Sequence, residues 1–474
     1  MHNKIKEYFN VRKSDSQKYY LENLLDWSLN KLKTKLRESR REGQVGTYKI
    51  LYQTVGNSPV PLVLSILALE PEKVIFLVTD ESRTWLDVII EHTKLRPSQY
   101  ETRYINFSSM VDIYEVIKRE VSDNDAPNAA IDITGGTKVM SSGAALAGAY
   151  LNIDVLYLES VIEPSRDRPT PGRENLIRID NPFTVFGDRK LNRARDLFAR
   201  FDFIGAVEIL GPARVQVREP QIFHLYYHLA LAYAAWDDFN FDTAYKELRN
   251  AIKTLEQYHI HLEWRPHLKE QLRILSLLEN MENTPDFELY QNPEKAWALI
   301  GSCYANARRR GKQRRYDFAV LLLYRVLEML SQMRLASWKL DSRHPSYSEL
   351  AISRDELTTR FKEIQRNLYR KNYREQELPQ EISLMQGLAL LKALEDPWAD
   401  SLDLERVKDN IDQRNSSILA HGTKVVTKRG HDGMLKLVQQ ALEEAWKIWP
   451  AAEMEWNAYR SQFRFVVGET RIEA

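Results

Sequence analysis

The pattern of apolar and polar positions divides the chain of 474 residues into a part with alternating strands and helices and a longer part that is helical throughout. Between residues 46 and 160, short apolar runs typical of buried strands alternate with segments of helical spacing. This alternation predicts a parallel sheet with helices on its faces. The predicted strands are YKILYQTV, KVIFLVTD, TRYINF, NAAIDI and DVLYLES.

Two segments flank this α/β region, and neither carries a chemical motif. Residues 1–45 are rich in Lys, Arg, Glu and Leu, and the spacing in LENLLDWSLNKLKTKLRES predicts one amphipathic helix that packs on another element. Residues 161–185 contain EPSRDRPTPGREN, whose Pro, Arg and Asp content predicts an exposed loop or linker.

The remaining residues show helical periodicity. The segment Arg200–Leu210 resembles Asp238–Leu248 at an offset of 38 residues, which indicates a short repeat within a helical spacer. Farther on, RYDFAVLLLYRVLEMLSQM predicts a long helix, and DLERVKDNIDQRNSSILAHG predicts another that ends at Gly422. We therefore predict four parts: a helical extension (1–45), an α/β domain with its linker (46–185), an all-α spacer (186–290) and an all-α domain (291–474).

Composition narrows the classes of protein to consider. Lys and Arg number 67 against 66 Asp and Glu, a balance that argues against a protein coating nucleic acid through bulk charge. The single cysteine, Cys303, excludes an internal disulfide and a Cys-based zinc site. The N-terminus lacks the apolar core of a signal peptide, and the run Pro59–Leu69 is too short to span a bilayer. We expect a soluble cytoplasmic protein with no membrane partner.

A glycine-rich loop joins the fourth predicted strand to the helix that follows it, in the segment Ile131–Lys138. Backbone N–H groups at the start of a helix favour an anion, and the two glycines let the backbone approach a ligand closely. Thr134 and Thr137 add hydroxyl groups, and Lys138 adds a positive charge. The segment therefore predicts a site for an anionic ligand.

Two further turns belong to the same edge of the predicted sheet, one after the first strand and one after the second. Because ligands of such sheets bind beyond the carboxyl ends of the strands, we expect the turns to gather there. Neither the P-loop spacing nor Gly-x-Gly-x-x-Gly is present. The predicted ligand-binding residues are Gly56, Asn57, Ser58, Thr79, Asp80, Thr134, Gly135, Gly136, Thr137 and Lys138.

The glycine turn on its own has a second interpretation, a plain connection between strand and helix. However, DITGGTKVMSSGAALAGAYL resembles the signature of CARF domains, the Rossmann-like sensors of type III CRISPR defence, and QTVGNSPVPLVLSI is similar to their first strand–turn–helix unit. The resemblance covers residues 46–160. It implies a Rossmann-like sensor domain that binds cyclic oligoadenylate, an allosteric activator, across a symmetric homodimer, where a two-fold axis presents two anion loops to a ring of phosphates.

The segment RNSSILAHG contains the candidate catalytic residues Arg414, Asn415 and His421. On a continuous helix, a separation of seven residues is nearly two turns, within about 20° of alignment, so Arg414 and His421 are expected on one face. Gly422 is expected to end that helix, and its dipole to favour a protonated His421. For attack of an RNA 2′-hydroxyl on the adjacent phosphate, histidine transfers protons, arginine stabilises charge on phosphoryl oxygens, and Asn415 orients the phosphate or the imidazole. This chemistry requires no metal ion or other cofactor.

The Arg–His spacing alone is not specific, since Arg218 and His224 have a similar one, and a histidine at a helix end is often structural. RNSSILAHG, however, resembles the catalytic motif of HEPN ribonucleases, and RYDFAVLLLYRVLEML resembles the long helix that precedes it. This resemblance covers roughly residues 291–450. It implies an all-α HEPN ribonuclease domain whose motifs pair across a dimer, so that one homodimer forms both the sensor pocket and the nuclease cleft.

Together the two resemblances predict a cyclic-oligoadenylate-activated, metal-independent endoribonuclease of type III CRISPR antiviral defence. It would cut single-stranded RNA and leave 2′,3′-cyclic phosphate and 5′-hydroxyl ends. One alternative is a nucleotide-sensing regulatory or assembly protein in which Arg414 and His421 are a structural pair. Another is a sensor that also cleaves its cyclic ligand, assisted by Lys138 or Ser58.

Two other clusters have a functional and a structural interpretation. The basic run RRRGKQRR (Arg308–Arg315) either guides RNA toward the nuclease motif or is a solvated surface. His224 and His228 have the spacing of metal ligands on a helix, but their apolar and tyrosine neighbours favour helix packing.

Overall fold

The computed structural model of the protein describes residues 1–106, 108–121, 128–164 and 166–467. The chain forms two compact units, residues 1–188 and residues 189–474. The first is an α/β unit and the second is helical, which confirms the predicted fold class. The four-part division proposed from the sequence is finer than these two units and stays a prediction.

A six-stranded sheet forms the centre of the first unit. Its strand order is β3-β2-β1-β4-β5-β8, with parallel pairing except at the edge, where β8 runs antiparallel to β5. The strands are β1 (Ile50–Thr54), β2 (Lys73–Val78), β3 (Tyr100–Tyr104), β4 (Ala129–Asp132), β5 (Asp154–Glu159), β6 (Ile162–Glu163), β7 (Arg168–Pro169) and β8 (Asn175–Ile179). Strands β6 and β7 pair with each other as a short hairpin.

Eight helices accompany the strands among the described residues of this unit. They are α1 (His2–Asn10), α2 (Ser16–Asn23), α3 (Leu25–Arg41), α4 (Pro59–Leu69), α5 (Leu86–Thr93), α6 (Met110–Glu120), α7 (Lys138–Leu151) and α8 (Pro182–Val185); α9 begins at the boundary, at Asp188. Alternate strand residues face opposite sides, as in β2, where Val74 and Phe76 join the core under α1–α5 while Ile75 and Leu77 join the core under α6 and α7.

Two expectations for this unit were wrong. Residues 1–45 contain three helices rather than one, because the chain leaves helical geometry at Val11, with φ −68° and ψ 159°, and again at Leu24, with φ −124° and ψ −13°. The expected linker, residues 161–185, contains β8, which completes the six-stranded sheet. Leu176 of β8 is buried in the core while its backbone pairs with β5. Of the predicted strand TRYINF, the last residue, Phe107, lies outside the described residues.

The second unit is a set of packed helices around one continuous apolar core that extends from Leu191 to Val466. Its helices are α9 (Asp188–Ala199), α10 (Phe203–Ala213), α11 (Gln221–Asp237), α12 (Phe241–Tyr258), α13 (Arg265–Leu277), α14 (Asp286–Gln291), α15 (Pro293–Lys312), α16 (Tyr316–Ser337), α17 (Arg354–Tyr369), α18 (Leu384–Ala393), α19 (Pro397–Asp400), α20 (Leu404–Asn415), α21 (Lys428–Ile448) and α22 (Trp456–Ser461).

The repeat predicted at an offset of 38 residues corresponds to equivalent helix starts. Asp202 caps α10 by accepting from the Gly205 N–H, and Asn240 caps α12 by accepting from the Thr243 N–H. The residue before each cap, Phe201 or Phe239, is left-handed, with φ of 58° and 60°. The two copies therefore share a turn and a cap as well as a sequence pattern.

Across the described ranges, no helix is both long enough and apolar enough to cross a bilayer.

Candidate functional site

The buried carboxylate of Asp132, the last residue of β4, holds the glycine loop that follows this strand. One oxygen accepts from Gln53 Nε2 at 2.9 Å and from Ser65 Oγ at 2.5 Å. The other accepts from the Thr134 N–H at 2.9 Å and from the Thr134 hydroxyl. This network fixes the start of the loop, because each lost bond would leave a buried polar group unsatisfied. The one charged residue inside the apolar strand NAAIDI was the sequence signal for it, and our sequence analysis missed it.

The turns after β1 and β4 touch each other through glycine. A Cβ on Gly56 would lie 2.3 Å from the Gly136 nitrogen, and a Cβ on Gly135 would lie 2.3 Å from the Thr54 carbonyl oxygen. Gly136 also has a left-handed φ of 86°. The structure thus brings together two of the three turns expected at this edge, with no space for side chains between them.

The loop residues divide into those that hold the loop and those that face solvent. The Thr134 hydroxyl is occupied, since it also accepts from the Leu158 N–H at 2.8 Å. The Thr137 hydroxyl caps α7 by accepting from the Met140 N–H at 3.2 Å. Five predicted ligand residues are exposed at the starts of α4 and α7, namely Asn57, Ser58, Gly136, Thr137 and Lys138.

The turn after β2 follows the strand beside β1. Thr79 is buried and its hydroxyl donates to Ser82 Oγ at 3.2 Å, so its visible contacts are local. Asp80 is exposed. The described contacts do not join either residue to the glycine loop, in contrast to Gly56.

The candidate nuclease motif departs from the predicted helix. Helix α20 ends at Asn415, and Ser416 is its cap residue, so His421 does not lie in a last helical turn. The alignment of Arg414 and His421 by helical periodicity was therefore wrong, and so was the dipole argument. Instead residues 416–424 form a compact loop, closed by hydrogen bonds from the Ile418 N–H to the Lys424 oxygen at 2.9 Å and from the Lys424 N–H to the Ser416 oxygen at 3.0 Å.

The loop itself returns His421 to the end of α20. The His421 N–H donates to the Asn415 carbonyl at 3.3 Å, and the Gly422 N–H donates to the Ser417 carbonyl at 3.0 Å. A Cβ on Gly422 would lie 2.0 Å from the Ser416 carbonyl oxygen. Gly422 is thus required by this close approach, rather than by the helix end that the sequence indicated.

Arg414 lies over an aromatic ring that positions its guanidinium. Its Cζ is 4.2 Å from the ring centroid of Tyr324 on α16, and its Nη1 donates to the Asn415 side-chain oxygen at 3.0 Å. Burial, followed by the neighbouring Glu328, raises the pKa of Tyr324 to about 12, so the ring is a neutral phenol at physiological pH. Tyr324 is a second residue that the sequence analysis missed, since nothing in an amphipathic helix distinguishes it from core.

Space for a substrate group adjoins the motif. Arg414, Ser417 and Lys424 help to line a cavity of about 170 Å³ between the loop and α21. His421 is exposed. Large apolar side chains around the motif are exposed as well, with Ile418 at 61% and Val425 at 71%. The motif in one chain therefore offers one exposed histidine, with exposed apolar side chains beside it.

The other clusters are partly structural. Arg309, within the basic run, is buried and donates to Asp237 Oδ1 through Nη2 at 2.7 Å, so it holds α15 to α11 and does not contact solvent.

The histidine pair on α11 is also packed within the helices. His228 lies 2.7 Å from Glu247 Oε2, and burial lowers the pKa of His224. Within the described ranges, no three His, Cys, Asp or Glu side chains converge as metal ligands.

Comparison with known proteins matches three successive segments of the chain to family profiles. Residues 50–158 match the Card1 CARF domain, residues 186–278 the Csm6 6H domain, and residues 290–445 the Csm6 HEPN domain. A curated relative, the CRISPR system endoribonuclease Csm6 of Thermus thermophilus, is 27% identical over 412 residues, covering 84% of this chain and 85% of the relative.

Two solved structures are more distantly similar. Enterococcus italicus Csm6 bound to cyclic hexa-2′-fluoro-hexa-dAMP is 13% identical with a TM-score of 0.48, covering 88% of this chain and 98% of that one. Can2 from Sulfobacillus thermosulfidooxidans in complex with cyclic tetra-adenylate is 14% identical with a TM-score of 0.22, covering 40% of this chain and 66% of that one. Because the CARF, 6H and HEPN profiles follow one another along a single chain, this chain is a CARF–HEPN protein of type III CRISPR systems.

Proposed function

We propose that this CARF–HEPN protein is an endoribonuclease of type III CRISPR defence, activated by cyclic oligoadenylate and cutting single-stranded RNA without a metal ion. The observation that carries the proposal is the loop that returns His421 to Asn415 and Arg414 within the segment matched by the HEPN profile. A histidine, an arginine and an amide at one helix end provide the groups that phosphoryl transfer from an RNA hydroxyl requires.

In the proposed reaction, the RNA 2′-hydroxyl oxygen forms a bond to the adjacent phosphorus while the bond from phosphorus to the 5′-oxygen breaks. A base removes the 2′-hydroxyl proton, and an acid delivers a proton to the leaving 5′-oxygen. The products are a 2′,3′-cyclic phosphate and a 5′-hydroxyl. The Arg414 guanidinium, held over Tyr324, stabilises the charge on the non-bridging oxygens.

A homodimer accounts for the two proton transfers, because one protomer supplies one His421. The apolar side chains around the motif, among them Ile418 and Val425, are suited to burial against a second copy. A second apolar surface lies on α7 of the α/β unit, where Val139, Leu146 and Tyr150 are exposed. We propose that both surfaces are covered in the same symmetric dimer.

We assign the activator to the paired glycine loops. Asn57, Ser58 and Lys138 are exposed at the starts of two helices, where N–H groups and a lysine favour phosphate. Gly56, Gly135 and Gly136 permit the contact of the two turns that places them there. Thr134 and Thr137 hold the glycine loop, and we propose that Thr79 and Asp80, after the neighbouring strand β2, contribute to the same site. A ring of phosphates on a two-fold axis then meets two identical sets of donors.

The test is a cleavage assay with labelled single-stranded RNA in EDTA, with and without cyclic tetra- or hexa-adenylate. We expect stimulated cutting by the wild type and a loss of about 10²–10⁴-fold in His421→Ala, the range typical of a general acid or base. His344→Ala, at another exposed histidine of the same unit, is the matched control and should cut normally. Equal cutting by His421→Ala would refute the site, and products with 3′-hydroxyl and 5′-phosphate ends would refute the reaction.

A further inference from the structure

We propose that a basic cavity between α9, α10 and the end of α15 binds the sugar–phosphate backbone of the single-stranded RNA substrate, beside the cutting site. The identity of the strand as substrate rests on the proposed ribonuclease function. The cavity has a volume of about 1120 Å³ and lies wholly within the helical unit. Its basic side chains are Arg193, Arg195, Arg200, Arg310, Lys312 and Arg315.

The acidic side chains of the cavity do not cancel this charge. Six basic residues face four aspartates, and one of the four, Asp237, is already paired with an arginine that does not line the cavity. Asp237 lies 2.7 Å from the buried Arg309 and 3.4 Å from Arg310. The cavity therefore has an excess of positive charge in a protein whose overall net charge is +1.

The wall of the cavity is rigid where it carries the charge. The Arg309 guanidinium lies 3.7 Å from the Phe465 ring centroid and is bonded to Asp237, which fixes the last turns of α15. Gln313 Nε2 donates to the carbonyls of Arg200 and Phe201 at 3.0 and 3.3 Å, which fixes the opposite wall. Positions held in this way suit repeated contacts with a chain of phosphates.

An aromatic ring accompanies the basic groups. Phe201 lines the cavity in a left-handed conformation with φ 58°, and Lys312 Nζ lies 5.7 Å from its ring centroid. Basic grooves with aromatic side chains are the usual surface for single-stranded nucleic acid, because bases stack on the rings while the cations contact the backbone. Arg193, Arg200, Lys312 and Arg315 are all exposed, which favours a strand that passes through over a small ligand that is enclosed.

A short chain of contacts connects the cavity to the nuclease motif. Arg315, which lines the cavity, directly precedes α16, and Asp317 in the first turn of α16 accepts from the Val426 N–H at 3.0 Å. Val426 lies two residues after Lys424, whose N–H and carbonyl close the motif loop. The end of the cavity at Arg315 is therefore the end from which a bound strand would continue to the catalytic loop.

The test measures binding of a fluorescent single-stranded RNA by anisotropy over a salt series, in the uncut background His421→Ala. Arg193→Gln combined with Arg315→Gln should weaken binding at least ~10-fold. It should also reduce the slope of log K against log salt by about 1.4, since each phosphate contact on a single strand contributes about 0.7. The matched control is Arg249→Gln combined with Lys253→Gln, two exposed basic residues on α12 outside the cavity, which should bind normally.

Equal affinity and slope in the cavity variant and the control would overturn the proposal. A second outcome would overturn the proposal in favour of a site for free nucleotides: labelled AMP binds as tightly as the RNA, and the cavity variant loses this binding. Failure of the proposed ribonuclease function is distinguishable from failure of the cavity proposal, because His421→Ala would then still cut RNA. Arg193→Gln/Arg315→Gln in the otherwise wild-type chain should raise the KM for RNA more than it lowers kcat.

Discussion

In the nuclease loop, residues 416–424, the backbone conformation at Gly422 does not require a glycine. Gly422 is not among the described glycines with positive φ, so an alanine there would meet no conformational penalty. What excludes a side chain is the Ser416 carbonyl oxygen, 2.0 Å from the ideal Cβ position. Backbone atoms in a hydrogen-bonded turn cannot shift as a flexible side chain can, so the loop must open.

We predict that Gly422→Ala abolishes most RNA cleavage, because opening the loop removes the hydrogen bond that returns His421 to Asn415. Gly433→Ala is the matched control, since its Cβ would meet nothing closer than 3.5 Å, it lies within α21 and it does not line the cavity beside the motif. That substitution should leave cleavage intact and stabilise the fold by up to about 1 kcal/mol. The measurements are the cleavage rates and the thermal unfolding of both variants. A fully active Gly422→Ala would contradict the role assigned to this loop.

At this scale the sequence predicted the chemical groups of the sites better than the contacts that hold them. The positions of Arg414, Asn415 and His421 were predicted, but on a helix that ends before the histidine. Asp132 and Tyr324 were missed, because their role depends on what lies opposite them in three dimensions. Local spacing carries no information about such non-local partners.

Among the elements, α7 combines two faces that the sequence alone did not separate. One face packs small residues closely, and a Cβ on Gly143 would lie 3.1 Å from the Met110 Cα. The other face leaves Leu146 and Tyr150 about half exposed, at 48% and 50%. A helix with one buried and one exposed apolar face is typical of a subunit interface.

We expect Leu146→Glu to convert a dimer of the protein to monomers, because the introduced charges would face each other across the two-fold axis without solvent. Sedimentation velocity measures this directly. Val215→Glu, at a residue of the helical unit that is 75% exposed, is the control and should leave the mass unchanged. A wild-type monomer, or a dimer that survives Leu146→Glu, would exclude α7 as the interface.

The predicted strands and helices are confirmed where the hydrophobic periodicity of the sequence is strong. Strands β1, β2, β4 and β5 and helices α4, α6 and α7 lie where the apolar pattern placed them. The edge strand β8 was missed because Asn175–Ile179 follows a Pro- and Arg-rich stretch and gains its strand character from pairing with β5. The end of α20 was missed because Ser416 and Ser417 enter a loop closed by backbone hydrogen bonds to Lys424, which helical periodicity does not predict.

In the whole molecule, the sensor loop and the nuclease motif lie in different compact units, residues 1–188 and 189–474. Each site presents one copy of a motif that functions in pairs in the account proposed here. Control of cutting by a nucleotide therefore requires that ligand binding to one unit changes the population of productive motif pairs in the other. We propose that this coupling depends on the positive charge of Lys138 at the start of α7.

The most direct test is the initial rate of RNA cleavage as a function of cyclic oligoadenylate concentration for the wild type, Lys138→Ala and Lys18→Ala. Lys18 is an exposed lysine of the same unit that forms a surface pair with Glu22, so Lys18→Ala should be activated as the wild type is. Loss of one charge-assisted phosphate contact of about 1.5–3 kcal/mol predicts that Lys138→Ala needs at least about 10–150-fold more activator, and more if both copies of Lys138 contact the ring. Half-maximal activation of Lys138→Ala at the wild-type concentration would contradict the account.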